Sequence, residues 1–213
     1  MLHKQTISPF LEETLKYLMK IEELKDFRLV GGTALSLMLG HRKSIDIDLF
    51  TATYIKSEDL LQTMKKYYPR QEIRDIAFGV KMYLQLGSDQ ELKVDLMCNE
   101  EYIRPYIEEE GIRIAHIEDI AAMKLEAITT RKEKKDYWDL AEILSRYSLK
   151  EMTEFYKERY PWNDLRTVME NFTMYGKCEG QFDPDYLNTN NWETIKRIIS
   201  DAFDNYVDQE RHL

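Results

Sequence analysis

Residues 31–50 read GGTALSLMLGHRKSIDIDLF, and this stretch decides the fold. It opens with two glycines, continues as an apolar segment of helical length and ends in a strictly alternating run. Successive side chains of a strand point to opposite faces, so the apolar residues of that run share one face while Asp46 and Asp48 share the other. The pattern predicts a strand over 44–50 that carries two carboxylates side by side.

A second alternating run supplies a third carboxylate. Residues 92–97 read LKVDLM, so the aliphatic side chains share one face and Asp95 lies on the opposite face. Carboxylate oxygens are the ligands that Mg²⁺ prefers, and Asp46, Asp48 and Asp95 are together predicted to hold two Mg²⁺ ions. Such a site suits transfer of a nucleotide from a nucleoside triphosphate to an acceptor hydroxyl, an in-line displacement at the α-phosphorus.

The two glycines predict a phosphate site. Gly31 and Gly32 permit a tight turn and a close approach of the backbone to a ligand. The helix that follows, beginning at Thr33, would direct its N-terminal N–H groups at a phosphate. His41 and Arg42 precede the acidic strand; they either touch the phosphates or form a surface turn.

The remaining pattern predicts an αβ half over residues 1–115 and a helical half over 116–213. A turn is expected over 87–91. The predicted strands span 27–30, 44–50, 72–78, 80–86 and 92–97, and the predicted helices span 7–24, 33–39, 57–68, 117–130, 136–146, 148–160, 164–175 and 190–210. The fold class is therefore α+β, with a mixed or antiparallel sheet followed by a helical region.

Composition restricts the class of protein. Hydrophobic residues make up 43% of the chain and charged residues 32%, which is typical of a globular domain. No apolar run reaches the roughly 18 residues of a membrane span, and the N-terminus lacks a signal-peptide pattern, so a cytoplasmic protein without membrane contact is expected. The net charge of −9 argues against nonspecific coating of nucleic acid. Cys98 and Cys178 show no metal-ligand spacing, so buried reduced thiols are expected.

The conjunction of these motifs resembles the nucleotidyltransferase superfamily that includes polymerase β, and more narrowly the AbiEii/AbiGii toxin family. The resemblance rests on Gly-Gly-Thr-Ala-Leu, Gly-His-Arg and Ser-x-Asp-x-Asp-Leu-Phe in the first block. A second block carries a lysine, Lys124, on one helix and an arginine-to-aspartate segment, from Arg131 to Asp139, opening the next. Arg131 is followed by one residue more than the family pattern has. The resemblance covers about residues 25–145.

This resemblance implies a polymerase-β-like fold and a toxin of a toxin–antitoxin or phage-abortive system. It implies that Lys124 contacts the triphosphate and that Asp136 orients a lysine or the nucleotide, whereas Asp139 is interpreted as capping or packing the helix. It further implies a cognate antitoxin as partner and tRNA 3′ ends as one class of acceptor.

Two features leave alternatives open. Arg131, Lys132, Lys134 and Lys135 form the densest basic cluster. With Tyr137 and Trp138 as stacking partners it is either an RNA contact or a solvated helix entrance. The acceptor is accordingly RNA, or a small molecule as in antibiotic nucleotidyltransferases, and a non-catalytic nucleotide-binding or partner-binding relic is the third hypothesis.

Overall fold

The computed structural model describes residues 1–87, 90–99 and 101–211. The chain divides into two compact units, Met1–His116 (unit 1) and Ile117–Leu213 (unit 2). Within the described ranges, no helix combines the length and the apolar character needed to cross a bilayer.

Unit 1 contains, in the part that the structure describes, a seven-stranded mixed sheet. The strands are β1 (Arg28–Leu29), β2 (Asp46–Thr51), β3 (Glu72–Ile76), β4 (Gly79–Leu86), β5 (Gln90–Cys98), β6 (Ile107–Glu109) and β7 (Ile112–Ile114). Their order across the sheet is β3-β4-β5-β2-β1-β7-β6. β2 pairs with β5 in parallel and β1 with β7 in parallel, and the other pairs are antiparallel. The predicted mixed sheet is confirmed.

Three α-helices accompany this sheet in the described part of unit 1. They are α1 (Pro9–Leu18), α2 (Gly31–Leu39) and α3 (Ser57–Tyr67). The prediction of one continuous helix over 7–24 was wrong. The Ser8 side chain caps α1 at the point where Pro9 occupies the first helical turn, so α1 begins there, and the extended backbone of Ile21 separates it from a short 3₁₀ helix, Glu22–Leu24.

Unit 2 is helical throughout its regular structure, as predicted. Its α-helices are α4 (Ile117–Thr130), α5 (Lys134–Ile143), α6 (Leu149–Arg159), α7 (Leu165–Phe172) and α8 (Trp192–Arg211). α4 packs against α5, α6 and α7, and α8 packs against α5 and α6. A capping box begins α6, with Ser148 and Glu151 bonded reciprocally. The buried ion pair between Arg159 and Asp119, at 2.8 Å, joins α6 to α4.

Two local predictions need correction. The acidic strand begins at Asp46 rather than at Ser44, because the backbone N–H of Ser44 bonds to the carbonyl of Thr6 at 2.9 Å. Ile45 is consequently 77% exposed and does not share the buried face. Sequence reasoning also missed the β6–β7 hairpin, whose turn places Glu110 and Gly111 at positive φ.

Two further predictions concern the turn at 87–91 and the two cysteines. The predicted turn at 87–91 includes residues 88 and 89, which lie outside the described residues. Cys98 and Cys178 are both free thiols, but only Cys178 is buried.

Candidate active site

Strand register brings the three predicted aspartates to one face of the sheet. In the parallel β2–β5 pair, Asp48 lies directly opposite Asp95, and Asp46 lies opposite Lys93. Ile47, between the two aspartates of β2, is fully buried on the other face, whereas Asp46 and Asp48 are half-buried. The two strands therefore present three carboxylates side by side, since residues paired across adjacent strands point to the same face.

Lys93 lies among these carboxylates. Its ammonium Nζ is 2.9 Å from Oδ2 of Asp95, and the side chain is 32% exposed. Burial opposes its charge, but the hydrogen bond to Asp95 and the fields of Asp48, Asp95 and Asp46 outweigh burial and raise the pKa of Lys93 above its ordinary value. The effect of all three aspartates on one ammonium shows that their negative charges converge there.

The other oxygen of Asp95 is differently placed. Oδ1 is buried and has no hydrogen-bond partner among the residues that the structure describes. Nζ of Lys81, on the neighbouring strand β4, is 4.0 Å from it, which is beyond hydrogen-bond distance. A buried carboxylate oxygen without a donor is costly, so this atom favours an additional cation.

Gly31 and Gly32 are the first two residues of helix α2, and the chain turns into the helix at Gly31. Gly31 has φ +69°, and a Cβ there would lie 2.7 Å from Oδ2 of Asp48. A Cβ on Gly32 would overlap with a guanidinium nitrogen of Arg42. The absence of a Cβ at both positions leaves room for these charged side chains, and the N-terminus of α2 has a carboxylate and a guanidinium against it.

Thr33 and the two residues before the acidic strand have structural contacts. The hydroxyl of Thr33 donates to Ser44 Oγ at 2.8 Å and also contacts the carbonyl of Asp46, which ties α2 to the start of β2. His41 and Arg42 are buried, so they do not form the exposed surface turn that was the alternative. Arg42 also donates to the Lys43 carbonyl at 2.9 Å. Of Thr33, His41 and Arg42, only Arg42 has a guanidinium that lies against Gly32 at the start of α2.

Unit 2 contains a second charged cluster, built on α4 and α5. Nζ of Lys124 lies 2.7 Å from Oδ1 of Asp136 and 2.5 Å from Oδ2 of Asp139, and the side chains are 4%, 0% and 0% exposed. Arg131 binds Asp136 through Nε and a terminal nitrogen, at 2.8 and 2.9 Å. Burial alone would raise the pKa of Asp136, but Lys124 and Arg131 hold it below its ordinary value.

This cluster brings Lys124 and Asp136 together, and it adds two residues that sequence reasoning had left aside. Asp139 contacts the lysine as directly as Asp136 does, so its role is larger than packing. Arg131, despite the extra residue that follows it, reaches the same carboxylate. The signal for Asp139 was its i, i+3 spacing from Asp136, which places both on one face of α5.

A comparison with protein families decides the identity. The family described as nucleotidyl transferase AbiEii toxin, type IV toxin–antitoxin system, matches residues 14–209. The chain belongs to this family. Because that match extends over nearly all of both units, the AbiEii chain is a nucleotidyltransferase of the toxin class, as the sequence motifs predicted.

One relative and two solved structures are similar to the chain over most of its length. An uncharacterised protein of Aquifex aeolicus is 27% identical over 207 residues, which cover 92% of this chain and 95% of that protein. The crystal structure of JHP933 from Helicobacter pylori has a TM-score of 0.59 at 19% identity, covering 100% of this chain and 97% of the other. MenT4, a nucleotidyltransferase toxin of Mycobacterium tuberculosis, has a TM-score of 0.57 at 16% identity, covering 91% and 82% of the two chains. At these identities the structures show a shared fold.

Membership of the AbiEii family implies a nucleoside triphosphate substrate and, typically, a divalent metal ion. The donor chemistry of the acidic strand face fits such an ion, because its oxygens are carboxylates and Oδ1 of Asp95 is buried without a donor among the described residues. The side chains are not preassembled for it: within the described ranges, no group of three or more His, Cys, Asp or Glu is arranged to hold a metal ion. The ammonium of Lys93 lies on Oδ2 of Asp95, an oxygen that a metal ion could also use.

The basic cluster of the AbiEii chain differs from the predicted RNA contact. Tyr137 and Trp138 are 0% and 2% exposed, so neither can stack on a base. Lys132 donates to the Ile128 carbonyl and to Asn171, Lys134 is buried against Asp183, and Lys135 pairs with Glu133 at 3.0 Å. These lysines have partners within unit 2, and the burial of Tyr137 and Trp138 contradicts the stacking part of the predicted RNA contact.

Proposed function

We propose that this chain transfers a nucleotide from a nucleoside triphosphate to an acceptor hydroxyl, using two Mg²⁺ ions held by Asp46, Asp48 and Asp95. The observation that supports this most directly is the register of β2 and β5, which pairs Asp48 with Asp95 and leaves Asp46 on the same face. When bound, the metal ions supply neutralisation of the triphosphate and a lowered pKa of the acceptor hydroxyl.

The residues around the acidic face have distinct tasks in this proposal. The backbone N–H groups of Gly31, Gly32 and Thr33, at the start of α2, bind a phosphate through the positive end of the helix. Arg42, whose guanidinium lies against Gly32, adds a planar charged donor suited to phosphate oxygens. Asp95 binds metal and accepts the hydrogen bond that orients the acceptor hydroxyl.

Lys124 has a separate part in this proposal. It acts on the triphosphate, as the family resemblance implies, and Asp136 orients it. Its ammonium lies 2.7 Å from Asp136 and 2.5 Å from Asp139. Asp136 and Asp139 hold the Lys124 ammonium in one place, although the four-carbon side chain that carries it is flexible.

The acceptor that we propose is RNA, with the 3′ end of tRNA as the first choice, and a cognate antitoxin would restrain the reaction in the cytoplasm. The antitoxin is supported by family membership, since type IV toxin–antitoxin systems pair a toxin with an antitoxin. A small-molecule acceptor is the second candidate. It is favoured by the contacts of Lys132 and Lys134 within unit 2 and by the pairing of Lys135 with Glu133, which reduce the positive charge that this cluster offers to RNA.

The test uses nucleoside triphosphates labelled at the α-phosphate, Mg²⁺, and either total tRNA or a set of aminoglycosides. Label on tRNA supports the first acceptor, label on aminoglycosides supports the second, and label on neither contradicts both. Asp48→Asn should lower the transfer rate roughly a hundredfold or more, because metal ligation supplies several kcal/mol of transition-state stabilisation. Asp75→Asn, on the exposed strand β3 of the same sheet, removes the same charge and should retain the rate. An active Asp48→Asn variant would overturn the metal assignment.

A further inference from the structure

Lys93 has no role in the nucleotidyl transfer described above, yet its ammonium is hydrogen-bonded to the acidic face. It lies on β5 two residues before Asp95, so both side chains point to the same face. Its pairing partner on β2 is Asp46, and its Nζ bonds to Asp95 at 2.9 Å. Asp46, Asp48 and Asp95 all act on this one ammonium.

This position conflicts with a bound metal ion. A divalent cation coordinated by the three aspartates would stand a few ångströms from the ammonium, and like charges at that distance repel. Solvent screens this repulsion only partly, because the Lys93 side chain is 32% exposed and that of Asp95 is 13% exposed. This repulsion favours movement of the Lys93 ammonium away from Oδ2 of Asp95 when the metal binds, and the displaced ammonium needs a new negative partner.

A triphosphate is such a partner, and it arrives at the same face as the metal. We propose that Lys93 is a positioning residue that makes metal binding depend on nucleotide binding. Its ammonium holds Asp95 while the nucleotide is absent and moves to a phosphate oxygen when the metal–nucleotide complex enters. This inference rests on the proposed function, since it requires a triphosphate at the acidic face.

The linkage can be stated as a coupling free energy. If nucleotide raises the affinity for metal by some factor, metal raises the affinity for nucleotide by the same factor. Without the Lys93 ammonium, metal alone meets less repulsion, so its own affinity rises. Nucleotide then raises the metal affinity by a smaller factor, and this factor is the coupling between the two ligands.

The experiment measures Mn²⁺ binding by electron paramagnetic resonance, with and without the four α,β-methylene nucleoside triphosphates, which resist cleavage at the reacting bond. In the Lys93→Met variant, Mn²⁺ alone should bind about tenfold more tightly than in the wild type, which corresponds to about 1.4 kcal/mol. The factor by which nucleotide tightens Mn²⁺ binding should fall by a similar amount. Lys93→Arg keeps the charge and should restore the wild-type coupling.

Lys66→Met is the matched control, because Lys66 is an exposed residue of α3 and its loss changes the net charge equally. Lys93→Gln provides a second neutral variant if Lys93→Met does not fold. Equal Mn²⁺ affinities in the wild type and both neutral variants would overturn the role of Lys93 while leaving the proposed function intact. Absence of any nucleotide-dependent Mn²⁺ binding in the wild type would instead overturn the proposed function, and this inference with it.

Discussion

Replacing Lys124 with methionine removes the central cation from the buried charged cluster of unit 2. Lys124 is 4% exposed, and its ammonium lies 2.7 Å from Asp136 and 2.5 Å from Asp139, both of which are fully buried. Asp136 keeps its two bonds from Arg131 after the substitution. Asp139 loses the ammonium and remains inside the protein, so most of the cost is expected there.

The expected loss of unfolding free energy follows from the distances between the Lys124 ammonium and the two carboxylates. At an effective dielectric constant of about 20, two unit charges about 3 Å apart attract by roughly 5 to 6 kcal/mol. The cost of burying the lysine offsets part of this attraction, so the measured loss is smaller. Removing one partner of a buried pair typically costs about 3 to 5 kcal/mol, and we expect Lys124→Met to lower the unfolding free energy by that amount.

Urea unfolding followed by tryptophan fluorescence measures this loss in the relevant unit. Trp138, Trp162 and Trp192 all belong to unit 2, and they are the three tryptophans of the chain. The double variant Lys124→Met with Asp139→Asn removes the stranded carboxylate charge together with the lysine. It should recover at least half of the lost free energy, since a neutral amide is far less costly to bury than an ion.

Lys157→Met is the control, because Lys157 is an exposed residue of α6 and its removal changes the net charge of unit 2 equally. Its effect should stay within about 0.5 kcal/mol of zero. If Lys124→Met also stayed within about 1 kcal/mol of the wild type, the reasoning would be refuted. Lys124 would then be solvated in solution, and Asp136 and Asp139 would not be what positions it.

Two further predictions concern the glycine pair and the effect of acid. Gly32→Ala should weaken nucleotide binding about tenfold or more in a titration, because the new Cβ would overlap with the end of the buried Arg42 side chain and displace its guanidinium; undiminished nucleotide affinity would contradict the role of Arg42. The pKa of Asp136 is held below its ordinary value, so its ionised form stabilises the fold fully above about pH 4, and that contribution disappears as the pH falls through the lowered pKa. The difference in unfolding free energy between the wild type and Asp136→Asn should therefore shrink below about pH 4, and a constant difference from pH 7 to pH 3 would contradict this.

The acidic face of the sheet was open to prediction because strand periodicity is a local property. Alternation of period two assigned Asp46, Asp48 and Asp95 to polar faces without knowledge of the sheet order. The same alternation also placed Lys93 beside Asp95, although it was not used for that purpose. Sequence could not give the parallel register that pairs Asp48 with Asp95, since some 40 residues separate the two strands along the chain and nothing local fixes their relative shift.

The start of α5 was harder to interpret because charged residues there are buried. Tyr137 and Trp138 stand among lysines and aspartates, and such a composition usually indicates a solvated surface. In this chain the charges compensate one another, with Lys134 and Asp136 at 6% and 0% exposure. The partner that makes Asp136 tolerable, Lys124, lies on another helix, so burial of the segment depends on tertiary pairing that hydropathy does not record.

The β6–β7 hairpin was missed for a different reason. Its strands have only three residues each, too few to establish a period. Its turn places Glu110 at φ +53°, where asparagine, aspartate or glycine is the usual signal. A hairpin this short is stabilised by the parallel pairing of β7 with β1, in which Leu29 lies opposite Ile114, and that pairing is not local.

The charged cluster of unit 2 and the acidic face of unit 1 differ in net charge. This difference affects which ions each of them can bind. In unit 2, Lys124 and Arg131 match the charges of Asp136 and Asp139, so the cluster is neutral without a ligand. On the acidic face of unit 1, Asp95 has one hydrogen-bonded ammonium, that of Lys93, while its Oδ1 stays buried without a donor among the described residues. A cation is therefore favoured at the sheet, whereas the unit 2 cluster is already stable as it stands.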